Sequence, residues 1–324
     1  MELFSLSRLL GIALFGVAMC LLPLVVSPAL LPEATRIVLL AGGAMALNLL
    51  VGATGLISMG MGVFFGLGAY VVAIGVMKFD IGFWQAAGLA LAISLPLGLL
   101  IAVISLRARH LFFGLLTMAI GQVAFVLVSR NYRLTGGDEG LVGIPIPEWL
   151  DSDVVQHYVA VAAMLLVAVV LLRLLASPFG AMLGAVRDNA DRVASTGANP
   201  KLYEITAMVI AGFLTTLLGV VWAGTEGAVE PQLTAWMTSM MLLMMVALGG
   251  RRSFLGPVVG AIVLEASRAW VQSFSPHSDL MVGVLVILCA LLFREGIGPR
   301  IAQLAPWRRH HDTGTAGAQE GTGA

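Results

Sequence analysis

The residues with the most chemistry to offer lie in one polar interruption of a very apolar chain. Between residues 177 and 201 stand Arg187, Asp188, Asn189, Asp191, Arg192 and Lys201, interleaved with Met182, Leu183, Val186 and Val193. At 3.6 residues per turn this alternation predicts one or two short amphipathic helices over 181–196. Gly197 and Asn199-Pro200 then break the pattern and turn the chain into an apolar run. Such a segment suits docking onto a soluble partner at a membrane surface, and a solvated connector with one charged face is the alternative. A second chemical candidate is Glu265, an acid deep in an apolar run, with Arg268 three residues on. An intramembrane acid is a functional candidate by default, although an i,i+3 partner can simply neutralise it. A third is the run 48–70, where Asn48 and Ser58 supply polar groups among Gly52, Gly55, Gly60, Gly62, Gly66 and Gly68. Small residues four apart let helices approach closely. Freed backbone at membrane depth is tolerated only against protein or a wet cavity. The run therefore reads either as tight packing or as a broken helix lining a path.

Catalysis is not among the readings. The chain carries no phosphate-binding loop, no GxSxG, no HExxH and no paired catalytic acids. Cys20 and Cys289 lie in separate apolar runs without CxxC spacing, and the five His are scattered. No metal site, disulfide or cofactor is expected.

The elements that must position these groups follow from composition. Of 324 residues, 59% are hydrophobic and 11% charged, against about 25% charged in soluble domains. The class is an all-α polytopic membrane protein. Ten spans can be drawn, at 9–30, 36–52, 62–77, 83–105, 110–129, 155–175, 202–223, 233–249, 254–274 and 279–293, at about 20 apolar residues each. The short ones (62–77, 233–249, 279–293) suggest broken or re-entrant helices. The stretch 9–30 is too long for a signal-peptide core and reads as an uncleaved first span. With the N-terminus in the cytoplasm, 13 Lys and Arg fall inside and 5 outside, as the positive-inside rule requires. Both termini and the 177–201 loop are then cytoplasmic. Residues 1–300 form one transmembrane domain, and 301–324 a basic, disordered cytoplasmic tail. The basic residues form no stripe, so no nucleic acid is expected, and lipid is the surrounding partner.

Four blocks carry a resemblance. The run from Ser177-Pro178 through Arg187-Asp188-Asn189 to Gly197 resembles the cytoplasmic coupling loop of ABC-importer permeases of the branched-chain amino acid family. It departs from that pattern at Ala181 and Ala190. The Gly55–Tyr70 run and Thr135-Gly136-Gly137-Asp138-Glu139-Gly140-Leu141 are similar to further family patterns. So is Leu248-Gly249-Gly250 followed by Gly256-Pro257, with Arg251-Arg252-Ser253 in place of the usual glycine turn. The resemblance implies a permease subunit in a cell inner membrane, multi-pass and not itself an enzyme. A second permease subunit completes a heterodimeric pore, two ATP-binding subunits hydrolyse ATP, and an extracytoplasmic binding protein delivers substrate. Branched-chain amino acids are the implied cargo, with urea, amides or other small polar solutes as the alternative. It further implies ATPase coupling through Val186, Arg187, Asp188, Asn189 and Gly197, and a translocation path by Asn48, Gly55, Ser58 and Gly60. The apolar side (Met182, Val186, Val193) is expected to bury against the ATPase. The competing class is a stand-alone secondary transporter, which needs titratable groups at the midplane; a membrane enzyme is the third.

Overall fold

The computed structural model describes residues 15–17, 19–23, 27–108, 111–251 and 253–272. The expected span 9–30 is described only at residues 15–17, 19–23 and 27–30, and the span 279–293 and the 301–324 tail lie wholly outside the described residues. The other eight expected segments fall on helices. These are α1 (Leu31–Asn48), α2 (Met61–Phe79), α3 (Phe83–Ser105), α4 (Leu111–Arg130), α5 (Asp153–Ala176), α8 (Pro200–Glu226), α9 (Trp236–Gly249) and α10 (Gly256–Gln272). Between α5 and α8 lie the short helices α6 (Pro178–Asp188) and α7 (Ala190–Ser195). Among the described residues, six helices are long and apolar enough to cross a membrane. At 1.5 Å per residue the 14-residue α9 covers only about 21 Å. It starts late because the 3₁₀ turn Pro231–Thr234 occupies the beginning of the expected span.

The bundle is built around α1, α2 and α8. The apolar window of α1 is 78% buried and that of α4 only 22%, which makes α4 the peripheral helix. The α2–α8 crossing is close, because both helices present glycine. A Cβ on Gly68 would strike the Thr216 carbonyl, and one on Gly219 the Phe65 carbonyl. The ring of Phe64 fills the space left by Gly212 and reaches the space at Gly98, so glycine on two helices makes room for one aromatic.

The polar contacts sort to two ends. One end holds the two-residue strands β1 (Leu141–Val142) and β2 (Ala228–Val229), paired antiparallel. It also holds the Arg36–Glu226 ion pair at 2.6 Å. The other holds Gly52, Arg187 and the turn between Gly249 and Gly256. The 24-residue α5 runs between them. The loops 131–152 and 177–201 are therefore at opposite ends, and the basic asymmetry of the sequence favours the cytoplasm for the second. A labelling test follows. In a background lacking Cys20 and Cys289, Val142→Cys is expected to react with an impermeant maleimide added outside intact cells, and Asp191→Cys only after permeabilisation. Both positions are exposed, whereas Gly140 has φ +74° with the Val229 carbonyl against it and would not accept cysteine.

Candidate functional site

The glycine-rich run does break a helix. After Asn48 the chain continues as a π-turn over Leu49–Thr54, and Gly55 takes φ +77°. Residues 56–60 are not helical, and α2 starts at Met61. In α8, Gly212 lies against Phe64 and is twelve residues along from Pro200, so the start of α2 is well inside the bundle. Backbone donors freed there must find partners within the protein, and hydroxyls supply them. Met59 N–H donates to Thr117 Oγ1 at 3.0 Å, Gly60 N–H to Ser58 Oγ at 3.3 Å, and Gly62 N–H to Ser239 Oγ at 2.7 Å. Ser58, Thr117 and Ser239 are all fully buried. Ser58 was legible from the glycine-rich run. Thr117 and Ser239 lie in apolar helices with no local signal, and only the packing of α4 and α9 brings them to the break.

At the end of the break nearest the 177–201 loop, Gly55 is exposed, and the stem of Arg187 lies beside it. Arg187 Nη1 donates to the Gly52 carbonyl at 2.8 Å, a group the π-turn leaves available. The loop that carries Arg187 is thus tied directly to the helix break. Asn48 is also here; its Oδ1 is buried without a hydrogen-bond partner. Gly60 is buried with Thr117 beside it. Asn48, Gly55, Ser58 and Gly60 therefore belong to one continuous break.

The loop itself folds as two short helices. Asn189 caps α7 by accepting from Arg192 N–H at 2.9 Å, and Asn199 caps α8 by accepting from Lys201 N–H at 3.1 Å. Gly197 has φ +86° with nothing within 4 Å of the place a Cβ would take, so its constraint is conformational rather than steric. One expectation is corrected. Of the expected apolar side, Val186 and Val193 are 4% and 6% exposed and, with Leu183 at 0%, face the chain's own helices rather than a partner, while Met182 is half-buried. A loop anchored to its own bundle must bury that side to be positioned at all. What it presents outward is Arg187, Asp188, Asn189, Asp191 and Arg192, all exposed. Arg187 and Asp188 also pair at 3.0 Å, an exposed contact worth at most about 1 kcal/mol.

Glu265 is buried in α10, at the end opposite the loop, and lines a cavity with Arg268.

Helices that cross a membrane, a break held inside the bundle and a polar two-helix loop anchored to it define a polytopic membrane protein of the transport type. The chain belongs to the family of branched-chain amino acid transport system permease components, whose model matches residues 30–291. It is 28% identical over 282 residues to the high-affinity branched-chain amino acid transport system permease protein LivM of Salmonella typhimurium, and 27% identical to LivM of Escherichia coli K12. Each match covers 79% of this chain and 66% of the relative. A probable branched-chain amino acid transport permease protein LivM of Methanocaldococcus jannaschii is 22% identical over 204 residues, 60% of this chain and 59% of that one. No solved structure matches.

Proposed function

We propose that this chain is the inner-membrane permease subunit of an ABC importer for branched-chain amino acids or similar small amino acids. A second permease subunit completes the path, two ATP-binding subunits engage the 177–201 loop, and an extracytoplasmic binding protein delivers substrate. The observation that carries the reading is the link from the exposed loop to the break, Arg187 to Gly52, within a family match that spans the bundle. A loop displaced by an ATPase would pull on the segment where α1 becomes α2. Gln122 supports a second subunit. It is exposed on α4, the peripheral helix, and an amide facing hydrocarbon costs free energy that a protein or wet surface would relieve.

The test uses the chain with its genomic neighbours. Tagged permease is expected to co-purify an ATPase and to restore leucine, isoleucine and valine uptake to a deletion strain. Arg187→Glu is expected to leave the permease in the membrane while weakening ATPase capture and uptake together. Val186→Asp cannot serve as the docking test, because it would bury a charge in the chain's own core. No ATPase in the pull-down, with uptake collapsed by an uncoupler, would favour a secondary transporter. Unchanged leucine, isoleucine and valine uptake in the deletion strain would point to urea, amides or another small polar solute.

A further inference from the structure

Two exposed arginines from distant parts of the chain meet at one glycine of the helix break. Arg187 Nη1 donates to the Gly52 carbonyl at 2.8 Å. The Arg251 carbonyl lies so close to Gly52 that a Cβ there would stand 2.6 Å from it. Arg251 sits in the turn between α9 and α10, and backbone contacts hold that turn. Gly250 takes φ +94°, and its N–H donates to the Val246 carbonyl at 2.9 Å. Ser253 N–H donates to the Gly250 carbonyl at 3.1 Å, and Gly256 N–H to the Ser253 carbonyl at 3.3 Å. A Cβ on Gly249 would overlap the Gly256 carbonyl, so the two helix ends touch through glycine. The backbone of Arg251 is therefore fixed against the break, while the residue is exposed.

Charge and position say what covers it. The helices α6 and α7 expose Arg187 and Arg192 against Asp188 and Asp191, a balanced set. Arg251 tips this face to positive, and Arg252 follows it in the sequence. Of the six long apolar helices α1 is the most buried, at 78% of its window. The end of α1 at Gly52 thus lies toward the middle of the bundle's end face. Lipid headgroups line the perimeter of such a face, and a soluble protein covers its middle.

We propose that the 250–253 turn is a second docking element for the ATP-binding subunit, with Arg251 set against an acidic patch of that subunit beside the 177–201 loop. This rests on the permease reading above. The pair Arg251-Arg252 stands where the family pattern has a glycine turn, so the contact is one this chain adds to the loop. A subunit that holds both elements bears on Gly52 twice, through the Arg187 side chain and through the backbone of Arg251.

The experiment uses the assembled transporter, with the permease tagged and its genomic neighbours co-expressed. Benzoylphenylalanine in place of Arg251 is expected to photocrosslink to the ATP-binding subunit, as it should in place of Asp191, and not in place of Val142 at the opposite end. Arg251→Glu should lower capture of the ATP-binding subunit about tenfold and flatten its salt dependence, while Arg251→Lys stays within about twofold of wild type. Membrane abundance and melting are expected to match wild type for both, because the side chain is exposed. Should Arg251→Glu melt early, the crosslink is read instead. Wild-type capture and salt dependence in Arg251→Glu, with a crosslink from 191 but none from 251, overturns the second element and leaves the permease reading standing. A crosslink from 251 to phospholipid alone overturns it too and gives the turn to the membrane surface. No ATP-binding subunit captured by the wild-type chain overturns this element and the permease reading together.

Discussion

Gly219→Leu is expected to remove the protein from the membrane fraction. At the α2–α8 crossing a Cβ on residue 219 would overlap the Phe65 carbonyl and crowd its carbon at 2.9 Å and Ala69 N at 3.2 Å. These are backbone atoms, so no rotamer change relieves the overlap. Gly68 faces the same crossing from the other side, with Val220 N at 2.8 Å from its would-be Cβ. The helices must separate, and the fully buried Phe64, Phe65 and Leu218 lose contact with their neighbours. Overpacking costs typically 1–3 kcal/mol. With backbone on both sides the loss here is expected at about 3 kcal/mol or more, a large share of a stability of about 5–15 kcal/mol. Membrane abundance by immunoblot and thermal unfolding in detergent measure it. Gly88→Ala is the control, since nothing lies within 4 Å of a Cβ there, and it should behave as wild type. Wild-type abundance and melting for Gly219→Leu would mean that the α2–α8 crossing is not the tight joint described above.

The second large effect is expected from Thr117→Val combined with Ser239→Ala. Each removes the acceptor of a backbone N–H at the start of α2, Met59 and Gly62 respectively. Both hydroxyls are 0% exposed, so water cannot replace them without opening the bundle. An orphaned buried donor costs about 1–3 kcal/mol. The two sites flank one segment, so their effects are not expected to add simply. The double variant should still insert, melt earlier than wild type and lose most uptake, because the break is no longer held in register. Thr117→Ser with native Ser239 keeps both acceptors and should restore melting and uptake. If the double variant melts and transports as wild type does, the donors have other partners and the hydroxyls do not fix the break.

Gly197→Val tests a smaller effect in the loop. At φ +86° a β-branched side chain is strained by about 1–2 kcal/mol. The exit into α8 should shift, and uptake should fall with little change in abundance. Uptake at the wild-type level would show that the exit angle is not critical.

The sequence by itself determined the class, the positions of eight of the ten expected helical segments, the opposite placement of the 131–152 and 177–201 loops and the existence of the loop helices. Hydropathy, charge asymmetry and caps such as Asn189 and Asn199 are local signals, readable within a few residues of where they act. The glycines of 48–70 left tight packing and a break both open, and the structure shows a break there. Which way each side chain points was left to tertiary structure. Val186 and Val193 look ready for any apolar surface, and folding spends them on the chain's own bundle. Thr117 and Ser239 become caps only because helices distant in sequence meet at Met59 and Gly62. Glu265 reads as one half of an i,i+3 pair until α1 brings Glu33 and Arg36 to the same cavity. The physical reason is that a membrane helix is apolar on every side, so periodicity does not tell its lipid face from its packed face. The few polar atoms find their partners only when the helices assemble.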